Sequence, residues 1–232
     1  MKKIAILQSN YIPWKGYFDM IHMVDEFILY DDMQYTKRDW RNRNQIIAGN
    51  RLLWLSIPVK NKGRFHQKIN ETQVADPHWA ESHWKSIRYH YAKAACFHGY
   101  AQQIQEIYLA CQEEAYLSRI NYRFLKGICR ILGISTQISW SSDYPLADGK
   151  TERLVSLVKS AGGDVYLSGP AARDYIEEDK FREAGVALEW MDYSGYPVYR
   201  QLSASFIHQV SILDLIFNEG PDAVKYMKSF QE

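Results

Sequence analysis

MKKIAILQSNYIPWKGYFDMIHMVDEFILY, residues 1–30, decides the fold class. The apolar runs Ile4–Leu7 and Phe27–Tyr30 flank a helical apolar stretch, Tyr17–Val24, which reads as strand, helix, strand. Working outward, Gln45–Ala48 and Leu52–Val59 form a hairpin pattern around Gly49 and Asn50, expected to extend the same sheet, with Pro58 marking a strand end or edge. From Trp79 to Leu132 there is no proline, and apolar residues recur at three and four spacing, as in Ile104, Ile107, Tyr108 and Cys111; three helices are expected. The α/β texture returns with strands at Thr136–Trp140, Val165–Leu167 and Ala187–Met191, separated by helices at Glu152–Ala161 and Ala171–Ala184. Residues 209–230 read as one or two amphipathic helices broken at Gly220-Pro221. The expected organisation is one α/β domain over 1–232. Residues 1–75 and 135–208 supply a mostly parallel core, 79–132 a helical middle insert, and 209–230 the C-terminal helices.

At 232 residues, 47% hydrophobic and 24% charged, the chain is a globular one, not a fibrous or disordered one. The formal charge of +1 gives no global pull toward nucleic acid or an anionic membrane, so any charge-driven recognition is local. The two N-terminal lysines precede an apolar run far too short for a signal peptide or a span, which implies a cytoplasmic protein without membrane insertion. Cys96, Cys111 and Cys129 form no CxxC pair and read as reduced, buried helix residues. His83 and His90 are two helical turns apart, no HExxH is present, and no metal site is expected. The absence of GxSxG and GxxxxGKS argues against a serine hydrolase and a P-loop NTPase.

Three segments carry candidate chemistry. The first loop, Gln8 to Phe18, lies where an open parallel sheet binds ligands, beyond a strand's carboxyl end and against a helix N-terminus. There Gln8, Asn10 and Tyr11 offer directional hydrogen bonds, Gly16 allows close backbone approach, and Lys15 neutralises a phosphate or carboxylate; an ordinary βα loop set by Pro13 and Gly16 is the bland alternative. The second segment follows the second strand. Lys37 to Lys68 holds nine Lys or Arg against one acid, Asp39, which makes a local anion surface unless it is simply a solvated charged loop. Arg38, Arg41 and Arg43 suit bidentate contacts, with Asn44 beside them, and Asp31 or Asp32 suits a general base or a metal bridge to phosphate. The residues around Gln8, Asn10, Lys15, Asp31, Arg38 and Arg43 are expected to converge on one pocket, because two βα loops meet at the carboxyl edge of adjacent strands. In the third segment, Ser168-Gly169-Pro170 opens a helix, either as an anion site or as a plain cap, and Tyr193 and Tyr196 bring polar-tipped rings to a loop.

The segments QSNYIPWKGYFDMI, YTKRDWRNRNQI, WLSIPVK, YLSGPAARDYI, LEWMDYSGYPVYRQ and FIHQVSILDLIFNEGPDA, in this order, resemble the WbqC-like family over nearly the whole chain. That resemblance implies a bacterial protein encoded among genes for O-antigen or other surface-polysaccharide synthesis. The first sixty residues resemble, more weakly, the nucleotidylyltransferase-like α/β fold, whose HxGH histidines stabilise nucleotide phosphates. Here the matching stretch is Trp14-Lys15-Gly16-Tyr17: the glycine is kept and both histidines are absent. The resulting expectation is a transferase or amide-forming ligase that joins a small acyl or amino-acid donor to the amine of a nucleotide sugar. Asp31 or Asp32 would be the base; Lys15 would face the phosphates if ATP and Mg²⁺ activate the acyl group in place, and neither is needed if it arrives on a carrier. The alternatives are nucleotidyl transfer to a sugar phosphate and a non-catalytic RNA- or anion-binding protein, in which the basic 37–68 stretch with Tyr35, Trp40, Trp54 and Phe65 binds RNA by phosphate contacts and ring stacking. The near-zero net charge weighs against nucleic acid, and a homo-oligomer is compatible with the sequence.

Overall fold

The computed structural model describes residues 1–231. β1 (Lys3–Leu7), α1 (Lys15–His22) and β2 (Glu26–Leu29) form the opening unit, and β3 (Arg43–Ala48) and β4 (Arg51–Ser56) form the hairpin. Three helices follow, α2 (Trp79–Tyr91), α3 (Phe97–Ala110) and α4 (Leu117–Leu132). The chain then runs through β5 (Gln137–Trp140), α5 (Lys150–Ser160), β6 (Val165–Ser168), α6 (Glu178–Glu183) and β7 (Ala187–Trp190), ending with α7 (Ile212–Glu219) and short 3₁₀ turns.

Five strands make an all-parallel sheet in the order β5-β2-β1-β6-β7. The chain winds outward from β1 through β2 to β5, then returns to the other side of β1, so the strand order reverses between β1 and β6. Alternation at period two divides the sheet's side chains between two cores. Ile4, Ile6, Ile28 and Tyr166 pack under Leu154, Leu157 and Val158 of α5 and Phe181 of α6. Ala5, Phe27, Leu29 and Leu167 face α1 and the middle helices, through Phe18, Ile21, Ile104, Phe124 and Ile128. Each fully buried side chain of this size contributes about 1.5–3 kcal/mol.

The hairpin departs from expectation. β3 and β4 pair only with each other, from Arg43↔Ser56 to Ala48↔Arg51, as a separate antiparallel sheet. The reason is that β2 has no free edge: β1 holds one side and β5 the other. The chain leaving β2 is also tied to residues 67–70, through Asn70 N to Asp31 O, Ile69 N to Met33 O and Tyr35 N to Gln67 O, each 2.9 Å. The hairpin therefore buries Ile46, Ile47 and Leu55 against the helices and leaves Trp54 exposed.

Two helix expectations also change. Ala171–Ala184 is not one helix but a 3₁₀ turn, Pro170–Asp174, followed by the short α6. The C-terminal segment is not amphipathic: α7 is buried from Ile212 to Asn218, with Asp214 accepting from Tyr91 OH at 3.0 Å and Tyr199 OH at 2.7 Å, and beyond Gly220 the chain winds as 3₁₀ turns. The cysteines are free. Cys111 and Cys129 are buried, and burial pushes both thiols up to about 12; Cys96, only partly buried, precedes α3.

One loop joins the two sheets. Ile12, buried between β1 and α1, has φ 37°, a strained value for a β-branched residue. Asn44 Nδ2 of β3 donates to the carbonyls of Tyr11 (3.1 Å) and Ile12 (3.0 Å), and its Oδ1 accepts from Gln45 N at 2.7 Å. Asn44→Ala is expected to destabilise the fold by roughly 2 kcal/mol, lowering Tm by about 4–8 °C in a thermal melt, because two buried carbonyls lose their donor.

Candidate functional site

The first loop and the segment after β2 meet at a buried carboxylate. Asp31 accepts from Ser9 N at 2.8 Å and from Ser118 Oγ at the start of α4. Burial pushes its pKa up, against the pull of the Ser118 and Ser9 hydrogen bonds and of Arg41. Asn121, one turn along α4, donates to Ser9 Oγ (3.0 Å) and to the carbonyl of Arg41 (2.9 Å). Arg41 is thus placed by groups from β1, β2 and α4. Its Nη1 donates to Asn10 Oδ1, its Nη2 stands 3.6 Å from Asp39 Oδ2, and its Nε is buried with no partner among the described residues. Asp32 accepts from Ser141 Oγ and from Arg153 Nη1 of α5 at 3.2 Å.

A pocket of about 360 Å³ opens where the strand order reverses, lined by Gln8 after β1, Tyr30 and Met33 after β2, Arg41, Lys150 and Leu154 of α5, Tyr166 of β6 and Tyr175. Ligands of open α/β sheets bind at this position. Arg41 and Lys150 are its cations, and Lys150 is the first residue of α5, a helix with no side-chain cap. Burial pushes the Tyr30 phenol up to about 12, with Arg153 opposing and Asp32 adding to the rise. The phenol is therefore a neutral donor at physiological pH. An anion flanked by aromatic or apolar groups fits this lining.

A second pocket, of about 230 Å³, is lined by Asn10, Pro13, Trp14, Trp40, Asn44 and Gln209. The Arg41–Asn10 hydrogen bond links a residue of each pocket.

The expected convergence on one pocket is not what the fold builds. Gln8 and Arg41 line the first pocket; Asn10 and Asn44 line the second. Tyr11 is buried in the middle helices, its hydroxyl 2.9 Å from His83 Nδ1 and 2.6 Å from Tyr108 OH. Lys15 is buried, donating to Pro197 O at 2.9 Å and lying 5.1 Å from the ring centres of Tyr196 and Tyr199. Gly16 seats the Trp14 indole: a Cβ there would stand 2.4 Å from the ring. Arg43 stacks on Trp54 at 4.1 Å and donates to the carbonyl of Arg38, which is exposed at φ 60°. Ser168 is buried with its Oγ 3.3 Å from Tyr166 OH, while Gly169 lies near Met20 and Tyr193. Tyr193 and Tyr196 pack edge-on to Trp14.

Sequence reasoning missed Lys150, Tyr30 and Tyr166 at the first pocket, Arg153 beside Asp32, and Trp14 and Gln209 at the second pocket, where Trp40 was named only as a stacking ring for RNA. Trp14 and Trp40 stand inside the quoted motifs. Arg153 pairs with Asp32 across 121 positions, and no local pattern announces that contact. Among the described residues no group of three or more His, Cys, Asp or Glu gathers as a metal site, and no helix is long and apolar enough to cross a membrane.

Burial lowers the Lys15 pKa to about 8, from an ordinary value near 10.5, against the opposing fields of Asp19 and Asp214. The unfolded chain therefore binds more protons than the folded one between these values, and Lys15 makes the fold gain stability as pH rises through that window. Lys15→Met is expected to flatten that rise, read by comparing denaturant midpoints of the two proteins from pH 7 to 10; an unchanged slope would place the effect elsewhere.

Comparison with known proteins agrees with this layout of motifs. The profile described as the WbqC-like protein family matches residues 8–226. The uncharacterized protein Rv1507c of Mycobacterium tuberculosis is 53% identical over 228 residues, covering 98% of each chain. No solved structure matches. Matched from the first loop to the last 3₁₀ turns, and so across both pockets, the chain belongs to the WbqC-like protein family.

Proposed function

We propose that the protein binds a nucleotide-activated amino sugar at the carboxyl edge of its sheet and joins a small acyl or aminoacyl group to the sugar amine, as a step in bacterial surface-polysaccharide assembly. The observation that carries this reading is the pocket at the strand-order reversal with Arg41 and Lys150 in its lining. Two cations beside the uncapped start of α5 suit a diphosphate, and Tyr30, Tyr166 and Tyr175 suit the nucleoside. The β5-β2-β1-β6-β7 order is that of doubly wound nucleotide-binding sheets, and a nucleotidylyltransferase-like ancestry is part of the proposal.

The bond formed is N–C between the sugar amine and the acyl carbon; the bond broken joins that carbon to its activating group, and the amine proton passes to a carboxylate. Asp32 is the proposed base. It is the more accessible of the two aspartates and lies one ion pair from Arg153, beside Tyr30. Asp31, the more deeply buried, positions Ser9 and α4 through its two oxygens. In this reading Lys15, enclosed by rings, anchors the 196–199 segment.

Nucleoside diphosphates are expected to raise Tm, and Arg41→Ala to weaken their binding about 10- to 100-fold by calorimetry, the scale of a lost charged hydrogen bond. Equal affinity in Arg41→Ala would remove this site from nucleotide recognition. For the chemical step, nucleotide amino sugars are incubated with the protein and a panel of acyl thioesters, or with amino acids plus ATP and Mg²⁺, and followed by mass spectrometry. An amide mass gain is expected, reduced roughly 10²- to 10⁴-fold in a folded Asp32→Asn variant. No gain with any pair would reject acyl transfer.

A further inference from the structure

We infer that the pocket between Trp14 and Trp40 is a carbohydrate subsite that takes one pyranose ring; this rests on the nucleotide-sugar reading and names the position of the sugar. Its lining contains no ionisable side chain: Asn10, Pro13, Trp14, Trp40, Asn44 and Gln209 are all neutral, whereas the neighbouring pocket holds Arg41 and Lys150. An anion has no reason to enter it. A purely aliphatic ligand would desolvate the amides of Asn10 and Gln209 without replacing their hydrogen bonds with water. A pyranose satisfies both requirements, since its axial C–H groups pack on the negative face of an indole while its hydroxyls meet amides. The volume of about 230 Å³ lies below the roughly 300–1,000 Å³ of sites for drug-sized molecules, which suits a single ring.

Both indoles are held by neighbouring rings. Trp40 rests on Trp54 at 5.4 Å between ring centres, and Trp54 is in turn stacked by the Arg43 guanidinium at 4.1 Å. Trp14 is held edge-on by Tyr193 at 5.3 Å and Tyr196 at 5.4 Å, and lies so close over Gly16 that no side chain fits beneath it. Asn44 is already saturated by Tyr11, Ile12 and Gln45, and so forms wall, not contact. Asn10 has its oxygen on Arg41, which leaves its amide N–H groups for a hydroxyl, and Gln209 adds an exposed amide. The Arg41–Asn10 bond then joins phosphate binding to sugar binding: one guanidinium faces the diphosphate and orients the amide that meets the ring. Rings fixed before the ligand arrives lose little entropy on binding it.

The test separates this inference from the reading beneath it. A nucleoside diphosphate and its hexosamine conjugate are each titrated calorimetrically into the full chain and into Trp40→Ala, a variant at a part-exposed position expected to fold. In the native protein the conjugate is expected to bind about 10-fold more tightly than the bare diphosphate. Trp40→Ala is expected to erase that difference and leave diphosphate affinity unchanged, while Trp40→Phe keeps most of it. A difference that survives in Trp40→Ala overturns the subsite. If the diphosphate binds neither protein, the nucleotide reading fails by itself, and free hexosamine then tests the pocket through tryptophan fluorescence. A saturable change in the native protein that vanishes in Trp40→Ala upholds the subsite, and no change overturns it.

Discussion

The arrangement of the site depends on a carboxylate that water does not reach. Asp31 stands at the end of β2, and its two oxygens accept from the backbone of the first loop and from the first turn of α4. Its own carbonyl accepts from Asn70. Three chain segments distant in sequence are thereby fixed to the carboxyl edge of the sheet at one point. An unpaired buried carboxylate would cost several kcal/mol, and its hydrogen bonds, with the nearby Arg41, offset that cost. Removing any of the donors would leave charge exposed to a medium unable to solvate it, so the local geometry admits little alternative. The orientation of Arg41 follows at one remove, through Asn121.

Much of this was legible in the chain. The continuous apolar runs Ile4–Leu7 and Phe27–Tyr30 mark buried parallel strands, and the proline-free 79–132 stretch marks the helices, because both signals are local. The placement of the first loop and of the arginine segment at the carboxyl edge of the sheet was also readable, since position after neighbouring parallel strands is a topological property. Pairing partners were not. The hairpin looked like more of the same sheet because an antiparallel pair carries no mark of what it packs against; both sides of β2, the strand it follows, are taken by β1 and β5. Tyr11 and Lys15 looked like ligand contacts because polarity in a loop reads as exposure, yet each turns inward to partners more than 70 positions away, His83 and Pro197. Trp14 was passed over for the opposite reason, since rings in a composition rich in Tyr and Trp read as core, while Trp40 was read only as a stacking ring for RNA.

Charge is partitioned across the carboxyl edge. The ionic side sits over the α5 face of the sheet, where Arg153, Asp32, Lys150 and Arg41 lie near phenols that burial keeps protonated. The neutral side, with its indoles and amides, lies over the first loop. The single Arg41–Asn10 contact is where the two environments meet.

The hairpin stands outside the parallel sheet, and this has an evolutionary consequence. Trp54, on which Trp40 rests, and Arg43 belong to an arm that shares no strand pairing with β1, β2 or β6. Substitutions in that arm change the indole wall without shifting the register of the strands that carry the cationic pocket. Under the proposed function, homologues can diversify in the ring they accept while retaining a common way of holding its activated tail, and the exposed stack is the natural place for such drift to accumulate.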